Sequence, residues 1–261
     1  MKSLIRKIHW ILSIQFGINF KNMIRSTLSI PRYASDFLKF KKTYHGKLTF
    51  TPCLHDWYEE AGSTKSEYFW QDLYVAQSIQ KRNPQKHVDI GSRIDGFIAH
   101  VASYREIEVF DIRPITTNIP AIDFKQADFM KEIPESLINY CDSISCLHAL
   151  EHFGLGRYGD PINPEGYKIA LKNITKMLKP NGTLYLSVPI GEERVEFNAN
   201  RVFDASKLIE IIESNGLSLH SFSWIKDGEH FITSKSPIED ANNLSKVSYN
   251  LGIFQFNKRV E

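Results

Sequence analysis

Cysteine is scarce in this chain: Cys53, Cys141 and Cys146 are an odd three, with no C-x-x-C among them. That excludes a disulfide framework and a cysteine-built zinc site, and it fits a reducing compartment. Long apolar runs are missing as well. The uncharged stretch near the start, residues 8–20, is 13 residues long, short of the roughly 18–20 that a helix needs to cross a bilayer. No small-residue cleavage site follows it, which argues against a secretory signal. No internal repeat or low-complexity segment is visible, and no G-x-G-x-x-G, so a NAD-type dinucleotide fold lacks its fingerprint. Acids are nearly absent from residues 1–47, where ten Lys and Arg face Asp36 alone, a net +9. The other 214 residues carry 22 basic and 29 acidic side chains, a net −7. A basic arm is therefore joined to an acidic body. Because no nucleic-acid-binding motif accompanies the basic charge, no nucleic-acid partner is expected.

What is present is an ordinary globular composition, 42% hydrophobic and 24% charged. At 261 residues the chain can build one large domain, or a domain with an appendage. The arm, MKSLIRKIHWILSIQFGINF, reads as a helix whose apolar residues spread around much of its circumference. Such a helix packs on the domain or on a second copy as a homodimer, or it lies on an anionic membrane through residues 1–25. The expected location is cytoplasmic, with any peripheral contact at the inner face of the membrane. The division expected is a basic arm and lead-in over 1–63 and a main domain over 64–261.

Within 47–54, KLTFTPCL alternates briefly, as a strand or an extended lead-in would. A helix is predicted through GSTKSEYFWQDLYVAQSIQKRNP, capped at Ser63 or Thr64 and stopped at Asn83-Pro84. Strand and helix then alternate. Strands are predicted at 87–92, 106–112, 124–129, 140–149, 183–190, 218–225 and 251–258, and helices at 94–103, 165–180 and 203–216. The last helix carries Asp204 or Ser206 near its cap. This order implies a doubly wound, mostly parallel α/β sheet, in which ligands bind at the carboxyl ends of the strands near the reversal of strand order.

The strand-ending residues are Asp89-Ile-Gly91-Ser92-Arg93, then Asp111, then Asp128-Phe129, then His148-Ala-Leu-Glu151-His152, and finally Ser-Val-Pro-Ile-Gly191. His148 to His152 spell H-x-x-E-H, the pattern of inverted zinc peptidases. A peptidase site needs both histidines on one helix face and a further ligand elsewhere. Here His148 ends an apolar strand and Phe153-Gly154 interrupts soon after, so no metal is expected.

Taken in order, these segments resemble the class I S-adenosylmethionine-dependent methyltransferases over roughly residues 64–258. The resemblance rests on an acid-x-Gly after the first strand, an acid ending the second, an Asp after the third, a strand running into Leu-Glu-His, and LKPNGTLYLSVP. RYGDPINPEG, VPIG, FNANRVF and GIFQFNK are similar to a narrower group, known in nematode and bacterial proteins only as a domain of unknown function. Bacterial members of that group often accompany surface-polysaccharide genes.

The resemblance implies a Rossmann-like, seven-stranded sheet with an N-terminal helical extension. It also implies S-adenosyl-L-methionine as cofactor and methyl transfer to a polar small-molecule or glycan acceptor. A non-catalytic binding or scaffold module of the same fold is the alternative. Asp89, Gly91, Ser92, Arg93, Gly96, Asp111, Asp128 and Phe129 would hold the cofactor, with Asp111 on the ribose hydroxyls, Asp128 on the adenine amino group and Phe129 against the ring. Arg93 stands near the place of the usual middle glycine, a departure that puts cofactor binding in question. His148 and His152 would be near-neutral bases, oriented by Glu151. Arg157, Tyr158 and Asp160 in the glycine-rich loop, with Asn198 and Arg201, would contact the acceptor, the two arginines suiting an anionic one.

Overall fold

The computed structural model describes residues 2–260, and side chains from residue 8 onward except that of His9. Met1 and the side chains of residues 2–7 and 9, part of the expected membrane contact over 1–25, lie outside what is described. The chain divides into two compact units, Met1–Ser63 and Thr64–Glu261.

The first unit begins with α1 (Lys2–Phe16) and α2 (Phe20–Thr43), separated at Gly17 by a positive φ. Asn19 starts α2 by accepting the Asn22 N–H, as an N-cap side chain does. The segment after α2 is extended and forms no strand at 47–54; Phe50 instead sets its ring edge-on to Tyr33 and Phe37. Arg25 and Arg32 lie over the rings of Tyr58 and Trp57.

The second unit opens with α3 (Glu67–Arg82). Its N-cap is Ser66, not Ser63 or Thr64, and it ends on Asn83 in the left-handed conformation before Pro84, which cannot continue a helix. Then follow β1 (His87–Ile90), a wide turn over Ile94–Ile98 leading into the short α4 (Ala99–Ala102), β2 (Ile107–Asp111), β3 (Ile122–Gln126) and β4 (Cys141–Leu147). Next come α5 (Gly166–Met177), β5 (Leu178–Ile190), a hairpin of β6 (Arg194–Glu196) and β7 (Asn200–Val202), α6 (Ala205–Ser214), β8 (Leu217–Lys226), β9 (His230–Thr233), α7 (Pro237–Leu244) and β10 (Asn250–Lys258).

The sheet runs β3-β2-β1-β4-β5-β10-β8-β9. Its first five members are parallel, and β10, β8 and β9 pair antiparallel. It has eight strands where seven were expected, because β9 adds an edge. Central strands such as β1 and β4 are buried on both faces, as a parallel sheet between helical layers must be. From β1 the chain moves outward to β2 and β3 and then returns to β4 on the other side, so strand order reverses between β1 and β4.

One cap tests this reading of the chain. Asp204 accepts from the N–H groups of Ser206 and Lys207 at the start of α6 and from the Ser245 hydroxyl beyond α7. Asp204→Ala is expected to cost about 1–2 kcal/mol, read as a lower urea midpoint; an unchanged midpoint would contradict it.

Candidate active site

The ends of β1 and β4 are locked together by buried hydrogen bonds. Asp89, 0% exposed, accepts from Ser92 N at 2.9 Å, Ser92 Oγ at 2.6 Å and Ser145 Oγ at 2.5 Å. Ser92 Oγ in turn accepts the Leu147 N–H at 3.0 Å. Burial pushes the Asp89 carboxyl up to about 7, against the pull of these donors. Gly91 turns the chain here at φ +77°, and a Cβ would come within 2.9 Å of the Ala149 side chain. Asp89 is thus engaged inside the turn, where its oxygens are taken by Ser92 and Ser145. Phe129 is buried in the core, edge-on to Phe110 at 5.6 Å. Gly96 leaves room for Asp72 of α3, whose Oδ2 would lie 2.7 Å from an added Cβ.

Asp111 ends β2 with both oxygens engaged. Arg113 donates through Nε to Oδ1 at 3.0 Å and through Nη2 to Oδ2 at 2.6 Å, and its backbone N–H reaches Oδ1 at 2.8 Å. Asp128 caps its own turn, accepting Met130 N at 2.9 Å. Arg93 pairs with Asp95 at 2.7 Å and lies over the Tyr68 ring.

After β4, His148 takes a left-handed φ of +52°. Its Nδ1 meets Glu151 Oε1 at 2.7 Å and its Nε2 lies 3.2 Å from Glu67 Oε1, out of line for a hydrogen bond. Tyr68 stacks on the ring at 4.5 Å. Burial alone would lower the His148 pKa, but the two carboxylates prevail and raise it to about 9. That environment favours its imidazolium form. Glu67 also accepts the Tyr249 hydroxyl at 2.8 Å. Its own carboxyl stays below the usual range despite burial, because His148 sits beside it.

His152 behaves oppositely. Burial, aided by Arg157 nearby, holds it below its ordinary value. Its Nδ1 lies 2.8 Å from the Ala199 carbonyl. That nitrogen must carry the proton, which leaves the Nε2 lone pair free, 3.7 Å from Glu151 Oε1. Glu151 is 0% exposed, and its Oε2 has no hydrogen-bond partner among the described residues.

The glycine-rich loop is held from within. Asp160 accepts the N–H groups of Gly154, Gly156 and Tyr158 and so organises the loop. Arg157 stays exposed, with one nitrogen on Ala199 O at 2.8 Å. Arg201 is 5% exposed and donates to the carbonyls of Glu151, Phe153 and Pro164. It braces this segment. Asn198 is exposed in the turn of the β6–β7 hairpin.

Several site residues went unread in the sequence. Glu67, Gln71, Val75 and Ile79 recur every fourth residue along α3. The polar pair at its head, Gln71 bonded to Ser187 and Glu67 beside His148, falls on the helix's buried stripe. Polar residues in core-facing register were the available signal. Arg113 had no such signal. Among the described residues no group of His, Cys, Asp and Glu is arranged to hold a metal ion.

The reversal of strand order, the strand-end acid and the Leu-Glu-His turn together define the class I methyltransferase fold. The structure is similar to the (4+2)-cyclase SpnF, with 13% identity over 72% of this chain and 82% of that one and a TM-score of 0.51. It is also similar to a putative sarcosine dimethylglycine methyltransferase from Galdieria sulphuraria, with 14% identity over 73% and 85% and a TM-score of 0.50. Those names denote different activities, so the likeness speaks for the fold and leaves the reaction to the site. The chain belongs to the family described as Caenorhabditis protein of unknown function, DUF268, whose model matches residues 108–250. No curated protein matches it.

The His148 ion pairs set a pH dependence. With a folded value near 9 and an ordinary value of 6.5, their stabilisation is complete below pH 6.5 and is lost as pH rises through 9. It is on the order of 3 kcal/mol. Thermal melts between pH 6 and 9.5 are expected to fall for the natural protein, while His148→Gln starts lower and shows a flatter profile. Equal slopes would contradict the pairing.

Proposed function

We propose that this protein transfers a methyl group from S-adenosyl-L-methionine to a polar small-molecule or glycan acceptor. Two observations carry the reading: Asp111 ends β2 beside the strand-order reversal with two side-by-side acceptor oxygens, and His152, after β4, keeps a free Nε2. Two oxygens that accept side by side from the Arg113 fork suit a pair of vicinal ribose hydroxyls equally well. Arg113, half-exposed, can yield that place. The backbone of Gly91 and Ser92 and the Asp128 carboxylate would complete the nucleoside contacts. When bound, the cofactor supplies an electrophilic methyl carbon. In this reading His152 removes the proton of an attacking hydroxyl or amine at Nε2, a role worth about 10²–10⁴ in rate. His148, already protonated, orients Glu151. Because Glu151 Oε2 lacks a donor, an acceptor hydroxyl or amine that reaches it would be fixed beside His152.

Calorimetry with S-adenosylhomocysteine tests the reading: the natural protein binds and Asp111→Asn weakens binding about tenfold or more, as loss of charge-assisted bonds implies. No binding by the natural protein would favour a non-catalytic module of this fold. Arg93, paired with Asp95 where a glycine is usual, is the observation on that module's side.

We infer that the first unit lies on an anionic membrane surface, which would suit an acceptor of surface-glycan type. Phe20, Ile24, Leu28 and Leu38 of α2 and Trp10, Ile14 and Phe16 of α1 are exposed, in a segment of net charge +9. Apolar and basic residues together drive interfacial binding, whereas a second like-charged arm would repel it. Among the described residues no helix is long and apolar enough to cross a membrane. The full chain is expected to sediment with vesicles containing phosphatidylserine, but neither with neutral ones nor as the Ile24→Asp/Leu28→Asp variant. A salt-insensitive dimer that ignores vesicles would contradict this.

A further inference from the structure

Arg113 belongs to none of the assignments above, yet it connects two parts of the site. Its guanidinium is clamped on Asp111 at one edge and lies 4.4 Å from the centre of the Tyr158 ring. Arg157, from the loop that carries Tyr158, approaches the same ring at 5.2 Å. Two cations thus converge on one tyrosine, one from the chain after β2 and one from the loop after β4. They differ in what holds them. Arg157 spends one nitrogen on a carbonyl, whereas Arg113 spends its planar fork on Asp111.

That fork occupies the carboxylate assigned to the ribose under Proposed function, and the present inference rests on that assignment. A diol and a guanidinium cannot both be bidentate on one carboxylate, so nucleoside binding must lift Arg113 away. Asp111 is 10% exposed and Arg113 43%; the partner that can move is the arginine. Once lifted, its N–H groups need an acceptor. The one carboxylate of the 154–160 loop, Asp160, is committed to three amides of its own segment. Arg201 cannot join the pair, since three carbonyls hold it.

We propose that Arg113 is a specificity-determining residue held in reserve on Asp111. The nucleoside releases it, and with Arg157 it then binds an anionic group, a carboxylate or a phosphate, on the acceptor. The guanidinium fork matches both groups bidentately, and Tyr158 offers it a face to rest on. Cofactor and acceptor therefore bind in order. The anion site is completed only after the nucleoside has taken Asp111, and by linkage each ligand tightens the other.

Calorimetry on the full-length protein tests this with S-adenosylhomocysteine, inorganic phosphate and acetate as probes. Arg113→Ala removes an internal competitor, so it is expected to bind S-adenosylhomocysteine about two- to fivefold more tightly than the natural protein, the scale of one partly exposed ion pair. In the natural protein, saturating S-adenosylhomocysteine is expected to tighten phosphate or acetate several-fold, and whichever responds more identifies the anionic group. Arg113→Ala and Arg113→Gln should both lose that enhancement. Equal or weaker nucleoside binding by the variants, or anion affinity indifferent to nucleoside, overturns the proposal while leaving the methyltransferase reading intact. Absence of nucleoside binding by the natural protein and by both variants overturns the two together.

Discussion

The molecule depends on a small set of hydrogen bonds buried where the sheet's strand order reverses. Asp89, at the end of β1, gathers the Ser92 amide and hydroxyl and the Ser145 hydroxyl, while Ser92 takes the Leu147 amide at the end of β4. A carboxyl with no exposure is costly unless its acceptors are filled, and those of Asp89 are filled by groups that fix two strand ends against each other. Every other part of the site is measured from that junction. Gly91 can press against Ala149 because the turn is drawn inward, and the His148 segment leaves β4 at the place the junction determines. Ser145 also faces His87, which contacts Ser143 through its other nitrogen. The polar chain therefore extends under the site across β1 and β4.

Above that junction, charge is sorted by position. Two histidines four residues apart have opposite characters because their surroundings differ. His148 lies between two carboxylates and holds its proton. His152 lies against a carbonyl, near Arg157, and its neutral form is favoured. Environments that push two titratable groups apart are what acid–base chemistry at neutral pH requires. The H-x-x-E-H spelling thus arises from a strand end running into a single tight turn, with Glu151 facing both rings. His148 sits in a left-handed bend and His152 in the turn after it, so the two do not share a helix face.

How far the sequence could be read follows from where burial acts. β1, β4 and β5 are covered on both faces; the end of β5 was visible as an apolar run, and β1 and β4 as short stretches in which apolar residues alternate with small or polar ones. β3, exposed at three of its five positions, was placed two residues late. The β6–β7 hairpin, β9 and α7 are short and polar or mixed, held by tertiary contacts, and no periodicity marked them. The strand-end acids were legible as a set, but what each one does was not. Asp89 faces inward, Asp160 serves its own loop, and Arg113 is recruited by Asp111 from two residues away. Those outcomes depend on which donors come within about 3 Å, a matter decided by the packed chain. Glu67 and Gln71 lay in plain view on the buried stripe of α3, and their polarity there was the clue to the site.

The central claim is that the strand ends at the reversal hold a nucleoside within reach of His152. A crystal structure of the full chain with S-adenosylhomocysteine tests it most directly. The account predicts ribose hydroxyls on Asp111, the Asp111–Arg113 pair broken, and the thioether sulfur on the side of His152 Nε2. A nucleoside bound elsewhere, or one bound with Arg113 still bidentate on Asp111, would contradict it.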